Sequence, residues 1–505
     1  MRIIVIGSGF GGLAAAIRLQ NQGHDVTILE KRDKPGGRAY VYEQDGFKFD
    51  GGPTIITAPF LIDELFEGAG RRTEDYVKLV PVDPFYRIFF PDGSRFDYSG
   101  DPTRMIAQIE QLEPGDVAGY QEFVRRSEKI FDKGFTELAD VPFGRPWDMI
   151  KIIPDLVRLQ SYRTVYGLVS QFVHNEKLRQ VLSFHPLLVG GNPFQTTSIY
   201  TLIHFLERKW GVWFAMGGTG ALVAALVRLF EEGGGTLKLS QEVGEIRIGG
   251  GRASGVQLKD GSEIAADAIV CNGEVAWAYS HLLPAGYRKK YTDYKLARMR
   301  YSMSLVVIYF GTDRLYRDGS APMVHHNIIL GKRYKPLLND IFRKKMLAED
   351  FSLYLHMPTI TDPSLAPAGC ENFYVLSPVP HLGSGTDWRT AARPYRDAIM
   401  QFLEDRYLPD LHRHIVTEHM ITPLHFHDTL NSYLGSAFSV EPILTQSAYF
   451  RPHNQSEEIP NLYFVGAGTH PGAGLPGVLS GAKIVEKLIV DEQPEPRERP
   501  PASKR

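Results

Sequence analysis

A glycine-rich turn joins a short apolar run to a helix-forming segment at the start of the chain, and this arrangement limits the possible folds more than any other part of the sequence. The run RIIVI at 2–6 is typical of a central parallel strand, and GSGFGG at 7–12 follows it directly. Gly7 permits a tight turn, Gly9 lets the backbone approach a pyrophosphate, and Gly12 lets the helix pack closely on the strand. The pattern predicts a dinucleotide-binding turn.

The residues after this turn complete a strand–helix–strand unit. Alanine and leucine dominate a helix from about Leu13, Gly23 is placed to end it in the left-handed conformation, and Val26 to Leu29 form a second strand. Glu30 follows that strand, where a carboxylate can accept hydrogen bonds from an adenosine ribose. The alternative is a glycine turn that binds no ligand.

Further glycine-rich segments favour FAD over NAD as the bound dinucleotide. The segment KRDKPGGR at 31–38 places two glycines beside an arginine, which can bond phosphate or flavin oxygens, although a surface turn with a solvated arginine is the alternative. The loop at 466–477 precedes a helix whose positive N-terminal end can face the anionic pyrimidine side of a reduced flavin. The predicted FAD contacts are Gly7, Gly9, Gly11, Gly12, Glu30, Lys31, Gly37, Arg38, Gly466, Gly468, Gly474, Pro476, Gly477 and Val478.

The glycine pattern of a dinucleotide turn occurs a second time at 472–477, in a different context. A phosphate-binding loop directly follows its strand and leads through a helix to a second strand with an acid about 20 residues on. Here the preceding strand ends near Val465, and the acid at suitable spacing, Glu495, lies between prolines. These glycines are therefore assigned to the flavin end of one FAD site. This predicts no NAD(P) site, and oxygen or a membrane quinone as the electron acceptor.

Separated segments contribute to the predicted fold, which is an α/β architecture with a Rossmann-like FAD-binding domain and a mixed α+β substrate domain. Alternating runs and glycine turns over 243–271 predict a small antiparallel meander beside the parallel sheet. The FAD-binding domain is assigned to 1–84, 215–285 and 451–490, the substrate-binding and helical membrane-contact region to 85–214 and 286–450, and a disordered tail, charged and proline-rich, to 491–505.

Charge and composition exclude several classes of function. The 56 basic and 58 acidic residues nearly cancel, so no long-range field recruits a nucleic acid. Cys271 and Cys370 are too few for a disulfide framework or a thiolate metal site, which predicts a cytoplasmic protein. The histidine pairs at 325–326, 412–414 and 425–427 lack metal-ligand spacing with carboxylate support, so no metal site is predicted. No apolar run reaches the ~18 residues of a membrane-spanning helix, so membrane contact is expected to be peripheral.

The sequence resembles the bacterial and fungal type of phytoene desaturase, a carotenoid-biosynthetic branch of the amine-oxidase-like flavoproteins. The resemblance spans nearly all of 1–490. Its most specific stretches are DKPGGRAYVYEQDGFKFDGGPT (33–54), SFHPLLVGGNPFQTTSIYTLIHFLERKWGVWF (183–214), GSAFSVEPILTQSAYFRPHN (435–454) and NLYFVGAGTHPGAGLPGVLSGAK (461–483). The resemblance implies successive FAD-dependent desaturation of phytoene toward lycopene.

The substrate implied by this resemblance is a long uncharged polyene dissolved in lipid, which requires an apolar channel and contact with a membrane surface. The candidate wall residues are Phe205, Trp210, Trp213 and Phe214, each of which could instead be an ordinary core aromatic. The membrane contact is expected through an apolar and basic surface around Lys151 to Val173.

The implied reaction passes a hydride from an allylic carbon to flavin and leaves a delocalised cation that loses a proton. Asp148 and Glu441 are candidates for the base or for a cation-stabilising carboxylate, with a solvated surface position as the alternative for each. A related carotenoid oxidase, isomerase or hydroxycarotenoid desaturase would share the same glycines. A non-enzymatic prenyl-lipid carrier of this fold is a further alternative.

Overall fold

The computed structural model describes residues 1–317 and 322–491, so all but the first residue of the predicted disordered tail lies outside the described residues. The strands are β1 (Arg2–Ile6), β2 (Asp25–Leu29), β3 (Val41–Gln44), β4 (Phe47–Asp50), β5 (Leu79–Pro81), β6 (Tyr86–Phe89), β7 (Arg95–Tyr98), β8 (Trp213–Ala215), β9 (Thr236–Lys238), β10 (Val243–Gly249), β11 (Arg252–Leu258), β12 (Glu263–Ala265), β13 (Ala268–Cys271), β14 (Ser304–Thr312), β15 (His326–Ile329), β16 (Leu353–His356), β17 (Glu371–Val379), β18 (Ile415–Ile421) and β19 (Leu462–Phe464).

The helices are α1 (Phe10–Asn21), α2 (Phe60–Gly68), α3 (Pro102–Leu112), α4 (Val117–Phe131), α5 (Pro146–Arg158), α6 (Val165–Val169), α7 (Glu176–Ser183), α8 (Leu202–Trp210), α9 (Thr219–Glu232), α10 (Val275–Trp277), α11 (Asp293–Arg298), α12 (Tyr334–Asn339), α13 (Trp388–Arg406), α14 (Leu411–His414), α15 (Pro423–Asp428) and α16 (Leu475–Asp491). Among the described residues, no helix combines the length and the apolarity needed to cross a bilayer.

Five parallel strands form the sheet that carries the glycine turn, in the order β19-β13-β1-β2-β9. Every residue of β1 after Arg2 is buried, as expected for a central strand. The helix α1 begins at Phe10 rather than near Leu13, because the chain leaves the extended conformation directly after Gly9. Gly23 follows α1 with a φ of +81°, and α1 packs against α9 and α16. Helices thereby cover this sheet.

The antiparallel meander differs from its prediction in one strand. The strands β10, β11 and β12 form a three-stranded antiparallel sheet, but the segment AIVC at 268–271 pairs in parallel with β1 and β19 instead. All four of its residues are buried, whereas a half-exposed strand alternates buried and exposed residues. A strand in the centre of a parallel sheet is buried on both faces, and this segment fits that position.

A seven-stranded sheet forms the second large layer, in the order β18-β14-β17-β16-β15-β6-β7. Its central strand β14 is buried throughout, and β15 pairs in parallel with β6 although more than 200 residues separate them in sequence. A Rossmann-like parallel sheet, a small antiparallel sheet and this mixed sheet together confirm the predicted α/β fold class. The exact domain limits stay a prediction.

Candidate active site

One cavity of about 590 Å³ connects the two large sheets. It begins where the carboxyl ends of β1, β2, β13 and β19 meet at one edge of the parallel sheet, and it continues to one face of the seven-stranded sheet. Loops rich in glycine line the first part, and alternate residues of β14 and β17 line the second. Ligands of open α/β sheets bind at the carboxyl ends of the strands, which places a nucleotide in the first part.

Glu30 lines the cavity directly after β2 and is only 5% exposed. Its Oε2 accepts hydrogen bonds from the backbone N–H (2.9 Å) and the hydroxyl (2.7 Å) of Ser8, and its Oε1 accepts one from the backbone N–H of Arg32 at 3.0 Å. These bonds hold the carboxylate beside the glycine turn. A carboxylate has about four acceptor positions, so one remains for a ribose hydroxyl.

The glycine turn itself presents backbone donors to the cavity. Gly9 stands at the N-terminus of α1, where no side chain caps the first amides, so these N–H groups are available to an anion. Gly7 has a φ of +92°, which favours glycine. Gly12 lies behind the cavity wall, and a Cβ there would be 2.1 Å from the Gly7 carbonyl oxygen, so close packing of helix on strand requires glycine.

A third loop at this edge, Asn272 to Glu274, was not predicted from the sequence. Asn272 Nδ2 donates to the Gly7 carbonyl oxygen at 3.4 Å, and a Cβ on Gly11 would lie 2.8 Å from Asn272 Oδ1. Sequence reasoning missed this loop because it assigned the preceding strand to the meander. Recognition of four consecutive buried residues as a parallel strand would have located it.

Two cationic side chains line the same region. Arg38 Nη2 donates to Ser432 Oγ at 3.0 Å, while Arg38 Nε is buried and has no hydrogen-bond partner among the described residues. Burial lowers the pKa of Arg38, and the nearby charge of Glu274 opposes that shift. Lys31 Nζ donates to Asn431 Oδ1 at 2.7 Å, and burial lowers the pKa of Lys31. The wall therefore contains an unsatisfied charged donor, which calls for an anionic or carbonyl-bearing ligand.

The C-terminal glycine loop faces this space from β19. Gly466 has a φ of +102°, and the residues at the start of α16 form part of the cavity wall. The predicted FAD contacts that line the cavity are Gly7, Gly9, Gly11, Glu30, Lys31, Gly37, Arg38, Gly466, Gly468, Gly474, Pro476, Gly477 and Val478.

The residues present fit FAD. The uncapped amides of α1 suit a diphosphate, the Glu30 carboxylate suits ribose hydroxyls, and the unpartnered Arg38 Nε suits a phosphate or flavin oxygen. A dinucleotide with a ring system that extends toward the seven-stranded sheet would use all three within one cavity.

The second part of the cavity is lined mainly by aliphatic side chains. One wall is the seven-stranded sheet and the other is formed by α5, α8 and the segment that joins α7 to α8, with the residues Met149, Ile152, Leu156, Phe184, Leu187, Leu188, Val189, Leu202, Ile203, Leu206, Met303, Leu305, Val307, Ile328, Leu330, Leu353 and Leu376. The structure does not place the four predicted wall aromatics there. Trp210 packs against Phe60 and Phe131, and Phe214 packs against His325, because these rings fill the core behind the wall.

The two carboxylates considered for the chemistry lie outside this lining. Asp148 Oδ2 accepts a hydrogen bond from the Arg145 backbone N–H at 2.9 Å and so caps α5, whereas its neighbour Met149 lines the cavity. Glu441 is 3% exposed and forms a salt bridge with Arg300. Burial raises the pKa of Glu441 to about 7, and the charge of Arg300 opposes the shift.

A different carboxylate reaches the apolar part of the cavity. Glu207 of α8 is 1% exposed and lines the wall. Tyr86 OH donates to its Oε1 at 2.6 Å, and His185 Nε2 lies 3.2 Å from its Oε2. Sequence reasoning missed it because Glu207 stands in the charged run ERK, which resembles a solvated helix end.

The structure also brings His356 beside His325 and His326, a proximity that their sequence spacing did not indicate. One ring nitrogen from each of the three lies within 4.8 Å of those of the other two, and His356 Nε2 is 3.0 Å from His325 Nε2. Burial lowers the pKa of His325 to about 3 and lowers the pKa values of the other two. Tyr354 OH lies 2.7 Å from His326 Nδ1. The expectation of no metal site stays a prediction.

Comparison with known proteins agrees with this geometry. Residues 10–485 match the family of flavin containing amine oxidoreductases. A phytoene desaturase (lycopene-forming) of Pseudescherichia vulneris is 51% identical over 495 residues, which cover 97% of this chain and 99% of that protein. A phytoene desaturase (neurosporene-forming) of Rhodobacter capsulatus is 43% identical over 496 residues, which cover 97% of this chain and 94% of that protein.

Solved structures show the same fold at low sequence identity. An oxidoreductase from Methanosarcina mazei matches with a TM-score of 0.66 at 18% identity, covering 96% of this chain and 100% of that one. The family match confirms the predicted flavin cofactor and the oxidoreductase class. The chain is an FAD-dependent oxidoreductase that belongs to the flavin containing amine oxidoreductases and, within them, to the phytoene desaturases.

Proposed function

We propose that this enzyme desaturates phytoene in successive steps and forms lycopene, as the name of its relative at 51% identity states for that protein. The observation that carries the proposal is the continuity of this cavity, because it joins the dinucleotide turn to an apolar space without a break. A long hydrocarbon has no polar group to anchor it, so its recognition depends on the shape and apolarity of such walls.

Bound FAD supplies the chemistry of hydride acceptance. The protein residues bind the cofactor and the polyene, orient them and exclude water. Glu30, Arg38 and the amides of α1 would hold the cofactor, and the positive N-terminal end of α16 would stabilise negative charge near it. Leu305, Val307 and Ile328 on the sheet wall would hold the polyene and keep water from a cationic intermediate.

The substrate region includes a surface suited to a membrane. On α5, Met149, Ile152 and Leu156 face the cavity, while Trp147 (59%), Ile150 (48%), Ile153 (47%) and Val157 (58%) are exposed. Exposed lysine and arginine side chains border this face at 145, 151 and 158. An amphipathic helix of this kind lies in the interface of an anionic bilayer, and here it would bring the bilayer next to the cavity.

The proposal includes oxygen or a membrane quinone as the electron acceptor, without NAD(P). The second glycine pattern at 472–477 overlaps the first residues of α16, and the strand before it, β19, ends at Phe464. A dinucleotide turn follows its strand at once, so this separation supports assignment of the glycines to the FAD site.

Expression in a host that accumulates phytoene, followed by pigment chromatography, tests the proposal. We expect lycopene as the main new pigment. Neurosporene would indicate fewer desaturation steps, and a pigment with added oxygen or a changed double-bond geometry would indicate a related carotenoid oxidoreductase. Unchanged phytoene beside a flavin-loaded protein would refute the proposal and favour a lipid carrier.

A further inference from the structure

Four acidic residues line the cavity within the described part of the chain: Glu30, Glu207, Glu242 and Glu274. Glu30 is held beside the glycine turn, and its carbonyl oxygen accepts a hydrogen bond from Gln241, the neighbour of Glu242. Glu274 caps α10 through the Trp277 backbone N–H at 2.8 Å. Three of the four acids therefore belong to the cofactor edge. Glu207 alone stands in the apolar part.

Glu207 lies in the cavity wall among apolar and aromatic neighbours. Its neighbour Leu206 and the aromatic Phe184 line the same wall, and Phe184 stacks on His185 with 4.3 Å between ring centroids. Tyr86 and His185 occupy one position on each carboxylate oxygen. Two acceptor positions remain, and Glu207 reaches the cavity surface although it is 1% exposed.

We infer that Glu207 is the catalytic base of the desaturation, a role that rests on the proposed function. Bound FAD would accept a hydride from the polyene, and the carbon next to the resulting cation would then be the acid. A Glu207 oxygen forms an O–H bond with the proton of that carbon, and the electron pair of the broken C–H bond becomes the new C=C bond. The proton then leaves the carboxyl group for solvent between turnovers.

Electrostatics favours this position over the other carboxylates. A carboxylate in an apolar wall attracts a delocalised cation strongly, because little solvent screens the charges. Tyr86 and His185 hold it in one orientation, which is required of a base that reacts with a carbon acid. Asp148 is engaged in capping α5, and Glu441 is paired with Arg300 outside the cavity.

Three variants of the FAD-loaded enzyme test the role: Glu207→Gln, Glu207→Asp and the control Glu371→Gln. Glu371, the first residue of β17, is fully buried and is paired with Arg317. Its replacement therefore removes a buried carboxylate that does not line the cavity. Each variant is assayed with phytoene in vesicles, after its flavin content and its melting temperature have been measured. General base catalysis contributes about 100-fold or more, so we expect kcat to fall by that factor in Glu207→Gln at unchanged flavin content. Glu207→Asp should retain part of the activity.

Substrate deuterated at the carbon that loses the proton supplies a second readout. In Glu207→Gln and Glu207→Asp the isotope effect on kcat from this position should rise above the wild-type value, because proton removal becomes slower than hydride loss. In Glu371→Gln it should not change. If Glu207→Gln does not fold, Glu207→Asp still decides the matter through its isotope effect.

Wild-type enzyme that leaves phytoene unchanged would refute the proposed function itself. Active wild-type enzyme together with a Glu207→Gln variant of near-normal kcat would refute the inference alone. An isotope effect that is the same in Glu207→Asp and in wild type would refute it as well.

Discussion

Ser8 donates both its backbone N–H and its hydroxyl to one oxygen of Glu30, at 2.9 Å and 2.7 Å. This double contact ties the glycine turn after β1 to the end of β2, so the groups expected at the diphosphate and at the ribose are positioned as one unit. The contact links a local motif to a residue that follows a different strand.

Glu30→Ala should weaken FAD binding. Hydrogen bonds to a charged acceptor are worth about 1.5 to 3 kcal/mol, so we expect a dissociation constant raised by roughly 10-fold to 100-fold. Titration of the apoprotein with FAD measures it. Glu43→Ala, at an exposed position on β3, is the matched control and should bind FAD normally. Equal affinity in both variants would contradict the assignment of Glu30.

Gly12→Ala should prevent assembly of the FAD site. The new methyl group would lie 2.1 Å from the Gly7 carbonyl oxygen, a backbone atom that cannot move without displacing the turn. Gly144→Ala is the control, because a Cβ there meets nothing within 4 Å. We expect purified Gly12→Ala to lack bound flavin and Gly144→Ala to retain it. A yellow Gly12→Ala protein with wild-type thermal stability would contradict this packing.

Glu441 should make the fold less stable as the pH rises. Its pKa is raised from 4.5 to about 7 by burial, so the folded state keeps its proton between these values while the unfolded state releases it. Stability from this group is therefore present below pH 4.5 and is lost as the pH rises through 7, on the order of 2 kcal/mol between pH 5 and pH 8. Urea unfolding at both pH values should show a smaller loss in Glu441→Gln than in wild type. An equal loss in the two proteins would contradict the raised pKa.

Replacement of Trp147 and Val157 by serine should reduce binding to vesicles that contain anionic lipid. Both side chains are more than half exposed on the outer face of α5. Leu315→Ser with Val416→Ser removes two exposed apolar side chains elsewhere and should leave binding unchanged. Flotation assays compare the two double variants. Wild-type protein that stays in solution while it converts phytoene in vesicles would refute membrane contact.

NADH and NADPH should not reduce the enzyme. Rapid mixing of either nucleotide with the oxidised holoenzyme, without carotenoid, should leave the flavin absorbance unchanged. Fast and saturable bleaching would show a nicotinamide site and would overturn the assignment of the glycines at 472–477 to the flavin end.

The cofactor edge could be predicted because its determinants are local in sequence. The turn at 7–12 and Glu30 belong to one continuous strand–helix–strand unit, and the C-terminal loop precedes its own helix. The loop at Asn272 was missed for a local reason as well, since its strand was assigned to the meander. A longer apolar run before Asn272 would have favoured assignment of this strand to the parallel sheet.

The substrate wall could not be predicted, because it depends on pairing between distant segments. Ile328 reaches the cavity through the pairing of β15 with β6, and Glu207 meets Tyr86 of β6 across 121 residues of sequence. No periodicity within either segment indicates which partner it will have. The sequence alone therefore does not distinguish the aromatics near Trp210, which fill the core, from the aliphatic residues that form the wall.

Anaerobic mixing of the FAD-loaded enzyme with phytoene-containing vesicles follows the cofactor and the substrate in one reaction, and it tests whether the bound flavin itself oxidises phytoene. We expect loss of the oxidised flavin absorbance together with an equal amount of desaturated carotenoid. Flavin that stays oxidised, with phytoene recovered unchanged from vesicles to which the enzyme has bound, would contradict it.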